Sequence, residues 1–197
     1  MTQFEQLDQL VDDNDGIIQT SQVKALKISK TVFYTYIKSK HLEQVAHGIY
    51  VSEDAWLDSM YLFQLRFKQA IFSHETALYF HDLTDREPSP YSVTVKTGYN
   101  ASRLKADGVQ VFSIKKEFHE IGIVSTQTPF GHTVLTYDME RTLCDLIRSR
   151  RNIEIQTLQD ALKQYVCRKE KNLLNLMKYA KIFHVEKILR QYLEVLL

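Results

Sequence analysis

Phe4, Leu7, Leu10 and Val11 recur at helical spacing with polar residues between them, so residues 2–13 read as an amphipathic helix that Asn14, Asp15 and Gly16 bring to an end. Ile17 and Ile18 suggest a short strand; Ser21 then caps a second helix with Val23 and Leu26 turned inward, and Ser29 caps a third. Two caps separated by one short helix and a tight connection have the proportions of a helix-turn-helix. Along the third helix, residues 30–40, the side chains separate into two faces. Val32, Phe33, Tyr36 and Ile37 share one side, and Lys30, Thr31, Tyr34, Thr35 and Lys38 share the other. Leu42 to Val45 and Ile49 to Val51 flank Ala46, His47 and Gly48, which predicts a hairpin, or wing, with Gly48 supplying the turn.

Further along, a helical segment starts at Ser52, Glu53 and Asp54 and runs through Trp56, Leu57, Tyr61, Leu65 and Phe67, and another starts at Ser73. Residues 82–90 are polar, hold two of the prolines, and read as a loop. Residues 91–96, 109–114, 121–127 and 132–136 alternate or are β-branched, with Thr128-Pro129-Phe130-Gly131 joining the last two as a hairpin. Asp138 opens a helix through Leu143, Leu146 and Ile147, and further helices fall near 155–166, 171–182 and 185–196. The expected fold class is α+β: an N-terminal winged helix-turn-helix over residues 1–52, then a mixed α/β domain over residues 53–197 that ends in a helical bundle.

The formal net charge of +1 would not by itself suggest a nucleic-acid partner, but its distribution does. From Gly16 to Leu42 the chain carries Lys24, Lys27, Lys30, Lys38 and Lys40 and no acid, while Asp8, Asp12, Asp13 and Asp15 lie just upstream. The candidate DNA-contacting set is Lys24, Lys27, Ser29, Lys30, Thr31, Tyr34, Thr35, Lys38 and His47. Lys30, Thr31, Tyr34, Thr35 and Lys38 are expected in the major groove, with Lys24, Lys27 and the His47 wing on the backbone. Taken alone, a face of Lys, Thr and Tyr is equally a solvated surface. Three short helices, a capped turn and a Gly-centred hairpin in this order favour duplex DNA, with docking of another polypeptide as the alternative. A second basic bias, after Arg148, suggests added phosphate contacts from the C-terminal helices.

Catalytic patterns are weak. His74-Glu75 begins a zinc-protease motif, but the second ligand position is Leu78. Lys96 is preceded at nuclease spacing by Thr94 rather than by an acid. The sequence holds no Walker loop, no GxSxG elbow and no cysteine pair at ligand spacing, so no enzyme, cofactor or metal is expected, and His81, His119, His132 and His184 read as structural or surface groups. Cys144 and Cys167 read as buried free thiols. Without a signal-like start or a long apolar run, a cytoplasmic protein with no membrane partner is expected.

Three stretches carry a family resemblance: Gly48-Ile49-Tyr50; Phe72-Ser73-His74-Glu75-Thr76-Ala77-Leu78-Tyr79-Phe80-His81-Asp82-Leu83; and Tyr137-Asp138-Met139-Glu140-Arg141-Thr142-Leu143-Cys144-Asp145-Leu146-Ile147. On these the chain resembles the AbiEi antitoxins of bacterial abortive-infection (AbiE, type IV) toxin-antitoxin systems, which serve in phage defence. The resemblance implies an antitoxin and transcriptional repressor whose N-terminal domain binds inverted repeats in its own promoter. It also implies a C-terminal domain that neutralises a cognate nucleotidyltransferase-like toxin, without requiring a stable complex. The last two motifs are expected to build core, with Arg141 and Asp145, four apart on a helix, forming an ion pair.

Overall fold

The computed structural model describes residues 1–196, and the chain divides into two units, Met1–Arg66 and Phe67–Leu197. The described residues form an α+β structure with one sheet in each unit. None of their helices is long and apolar enough to cross a membrane.

In the first unit, α1 (Gln3–Asp12) begins with a reciprocal cap: Thr2 Oγ1 accepts from Glu5 N–H at 3.2 Å and Glu5 Oε2 accepts from Thr2 N–H at 2.8 Å. Leu7 and Val11 face inward, and Asp15 and Gly16, both at positive φ, turn the chain into β1 (Ile17–Gln19). The next helix, α2 (Thr20–Ala25), is capped by Gln19, whose N–H donates to Gln22 Oε1 at 2.8 Å, and not by Ser21 as its residue type suggests. Leu26 falls past the end of α2 as its C-cap and is 43% exposed, while Val23 within the helix is buried. Lys27, at φ 58°, reverses the chain so that Ile28 is buried and Ser29 caps α3 (Lys30–Ser39), its Oγ accepting from Val32 N–H at 3.3 Å. Then β2 (Glu43–Ala46) and β3 (Ile49–Val51) form the hairpin around Gly48, and β3 pairs antiparallel with both β1 and β2. Leu7, Ile18, Val23, Ile28, Phe33, Tyr36 and Tyr50 share one buried cluster.

The fourth helix, α4 (Ser59–Arg66), starts seven residues later than the periodicity suggests. Asp58 rather than Ser52 begins it: its Oδ1 accepts from Tyr61 N–H at 3.0 Å, and it is only 1% exposed. Residues 52–58 form no helix and leave Trp56 and Leu57 exposed. Tyr61, Leu62 and Leu65 pack on Ile17, Ile49 and Val51, so the first unit extends past the hairpin to Arg66.

The second unit is built on a five-stranded sheet formed by β4 (Ile71–Phe72), β5 (Ser92–Lys96), β6 (Gln110–Ile114), β7 (Ile123–Gln127) and β8 (Thr133–Tyr137), in the order β6-β5-β4-β8-β7. The two-residue β4 lies at its centre, parallel to β8 and antiparallel to β5. Its helices are α5 (His74–Phe80), the short α6 (Ser102–Ala106) and α7 (Lys116–His119), then α8 (Met139–Arg148), α9 (Ile155–Cys167), α10 (Leu173–Ile182) and α11 (Glu186–Leu196). The elements β4, α6 and α7 have no counterpart in the sequence reading, because two to five residues are too few to show a period. Of the two thiols, both free, Cys144 is buried but Cys167, at the end of α9, is exposed, correcting the expectation that both lie inside.

All residues from Glu140 to Ile147 of α8 are buried, including four that carry charge or a hydroxyl. Arg141 Nε donates to Asp145 Oδ2 and Arg148 Nη1 to Asp145 Oδ1, each at 2.8 Å. Arg141 Nη1 reaches the carbonyls of Phe118 and Ile121 at 2.9 Å, and its guanidinium lies 4.4 Å and 3.9 Å from the ring centroids of Tyr137 and Phe183. Gly122, at φ 78°, permits this approach, since a Cβ there would stand 2.8 Å from Arg141 Cβ. Glu140 accepts from Tyr165 Oη and Asn172 N–H, and Asp138, the N-cap, accepts from Arg141 N–H and Tyr179 Oη. Asp145→Asn would leave two guanidinium groups facing a neutral amide. It should reduce unfolding free energy by about 3–5 kcal/mol in a urea titration; a loss below about 1 kcal/mol would show that the pair holds nothing in place.

Candidate nucleic-acid interface

The elements of the first unit present α3 with one face buried and one open. Phe33 and Tyr36 are buried, with Val32 and Ile37 half-buried beside them, whereas Lys30, Thr31, Tyr34, Thr35 and Lys38 are all exposed. The burial of Tyr36 fixes this rotation, because its Oη donates to Asp8 Oδ1 at 2.8 Å and its ring meets Phe4 edge-on at 5.4 Å. Lys24 on α2, Lys27 and Ser29 in the connection, and His47 in the hairpin turn are exposed as well. Thr20 ties that turn to the start of α2, since its N–H donates to the Gly48 carbonyl at 2.9 Å. Ser29 Oγ accepts from Val32 N–H and so sets the start of α3, while its exposed O–H can still donate.

The lysines are not equivalent. Lys40 Nζ lies 2.8 Å from Asp8 Oδ1 and 5.9 Å from the Tyr36 ring centroid, on the side of α3 that faces α1. Lys40 and Tyr36 together hold the Asp8 carboxyl below its ordinary range. A cleft of about 470 Å³ on this side is lined by Asp8, Asp12, Asp15 and Asp54, so the acids gather away from the open face of α3. That face carries no acid in its first turn, where unpaired backbone N–H groups add partial positive charge. Its hydroxyls are also partly committed. Thr35 Oγ1 donates to the Thr31 carbonyl at 3.0 Å. Sequence spacing gives no sign of the Asp8–Lys40 pairing, which joins α1 to the residue that ends α3.

The second unit offers other features. A cleft of about 640 Å³ is lined by Arg150, Lys163, Ile188, Tyr192 and Val195 among others. A smaller cleft beside Lys181, His184, Lys187 and Arg190 marks the basic bias seen in the sequence, with Arg190 held at 2.8 Å by Glu186. Neither His74 nor Lys96 lines these two clefts. Lys96 is paired with Glu120 at 2.9 Å, and His74 is 2% exposed. His74 Nδ1 meets Ser73 Oγ at 2.9 Å, Nε2 meets Ser149 Oγ at 3.0 Å, and the ring stacks on Phe112 at 3.5 Å.

Burial foremost, with Arg148 and Arg141 nearby, lowers the His74 pKa from 6.5 to about 3. The imidazole is therefore neutral in the folded chain while the unfolded chain takes up a proton below 6.5, so its contribution to stability is full above that pH and is lost as pH falls toward 3. Relative to His74→Asn, which suits the φ of 49° at this position, the native chain should lose unfolding free energy progressively on acidification through this window. A pH-independent difference between the two would contradict the buried neutral imidazole.

No family model matches the chain, and no curated protein matches it. Among solved structures, the chain is similar to the crystal structure of the RV2827C protein from Mycobacterium tuberculosis, with a TM-score of 0.55 and 13% sequence identity over 87% of this chain and 69% of that one. At that identity the likeness concerns the fold, which it supports as α+β.

Proposed function

We propose that the first unit is a winged helix-turn-helix that binds duplex DNA, and that the protein is an autoregulatory antitoxin of the kind the sequence resembles. The observation that carries the DNA reading is the open face of α3: Lys30, Thr31, Tyr34, Thr35 and Lys38 are exposed together on a helix whose opposite side is locked into the core. In this reading α3 enters the major groove, Lys24 and Lys27 hold the phosphate backbone ahead of it, and His47 approaches the duplex from the hairpin turn. The acids around Asp8 repel a duplex from the other side and so restrict docking to one orientation.

The antitoxin assignment rests on the sequence resemblance of residues 72–83 and 137–147, which build the interior of the second unit around α5 and α8. In this reading the protein is a cytoplasmic repressor without enzymatic activity. It binds inverted repeats in its own promoter, and its second unit acts against a nucleotidyltransferase-like toxin. A polypeptide-docking role for α3 is the second reading, favoured by the exposure of Leu26 at 43% and Tyr34 at 54% beside the lysines.

Gel-shift titration against the upstream promoter and a scrambled duplex at two salt concentrations tests the proposal. The promoter should be preferred, with salt-sensitive retention. Lys30→Ala and Lys38→Ala should weaken binding to every duplex and each reduce the salt slope by about 1, whereas Thr31→Ala and Tyr34→Ala should change which duplex is preferred. Equal retention of promoter and scrambled DNA would pass the α3 face to a protein partner.

A further inference from the structure

We propose that the second unit binds a small anionic amphiphile, a molecule with an apolar body and a carboxylate head, in the cleft between α9 and α11. The cleft holds about 640 Å³, within the roughly 300–1,000 Å³ typical of small-ligand sites. Its two walls differ by element. Ile188, Tyr192, Val195 and Leu196 recur along one face of α11 and make an apolar wall. Ile188, Tyr192 and Leu196 are half-buried against the core, and Val195 stands 84% exposed at the rim. The other wall is polar: Arg150 follows α8, and Gln159 and Lys163 lie one turn apart on α9.

None of the described residues lining the cleft carries a carboxylate, so its two cations set the local charge. Arg150 Nη1 donates to the Ile147 carbonyl at 3.0 Å, a neutral partner that leaves the guanidinium charge in place. Lys163 Nζ lies 3.5 Å from Asp160 Oδ1, but the two side chains are 58% and 52% exposed, and both Asp160 oxygens also accept from Gln156 Nε2 at 2.8 Å. A pair that long and that open to water holds the ammonium weakly. An apolar wall beside two cations matches an amphiphile with a negative head and repels its cationic counterpart. Size favours a small molecule over a protein: Ile188 to Leu196 spans roughly 12 Å of helix, whereas a stable protein partner covers about 800 Å².

Calorimetric titration of the full chain with octanoate, octanol and octyltrimethylammonium, each below its micelle-forming concentration, tests the proposal without any substitution. Octanoate should saturate at one molecule per chain and bind at least about fivefold more tightly than octanol, with the ammonium weakest. Butanoate, shorter by four CH₂ groups each worth up to about fourfold, should bind at least tenfold more weakly than octanoate. Lys163→Gln should weaken octanoate about threefold and leave octanol unchanged, and Val195→Glu, at an exposed position, should weaken octanoate at least about fivefold. Equal affinity for the carboxylate and the ammonium, an octanoate affinity unmoved by both substitutions, or the absence of saturation at one molecule per chain would overturn the proposal.

Discussion

A guanidinium enclosed by protein has to draw its partners from the fold, and Arg141, whose Nε and Nη1 are hydrogen-bonded while Nη2 has no hydrogen bond among the described residues, imposes that requirement on much of the second unit. Its side chain is 0% exposed, and it draws Asp145 along α8, two carbonyls from the chain around α7, and the rings of Tyr137 and Phe183 to itself. Those partners come from the end of β8, the α7 turn and the end of α10, so satisfying one charge fixes the spacing of sheet and helices. Glu140 and Asp138 do the same for α9 and α10 through Tyr165 and Tyr179. Polar groups buried in this way cost more to leave unpaired than they add when paired, so the arrangement favours one packing over its alternatives.

The first unit works under a different constraint. Its core is small and largely apolar, and the part-buried hydrogen bond from Tyr36 to Asp8 helps set how α3 is rotated. The same carboxylate takes Lys40 out of circulation. One acid on α1 thus fixes which face of α3 is open and which of its cations remain available, tying a packing detail to the chemistry of the exposed surface.

Features governed by neighbours in sequence were legible from residue order. Ser29 and Asp138 cap their helices, Gly48 turns the hairpin, and the Arg141–Asp145 pair forms across one helical turn, because each depends on spacings of three or four residues. Features decided by tertiary contact were not. Asp58 rather than Ser52 starts α4, Gln19 displaces Ser21, and Leu26 falls past the end of α2 and is exposed. The strand β4 is two residues long and exists only because β5 and β8 flank it. The α3 face could be drawn from periodicity alone, but the diversion of Lys40 and the engagement of the Thr35 hydroxyl required the folded chain.

Backbone amide chemical shifts of the full chain, followed during titration with its promoter duplex, test the central claim most directly. The account predicts that the largest changes fall on Lys24, Ser29, the exposed positions of α3 and the His47–Gly48 turn, with Asp8 and Asp12 on α1 little affected. Shifts confined to α1 or to residues beyond Arg66, with α3 silent, would contradict it.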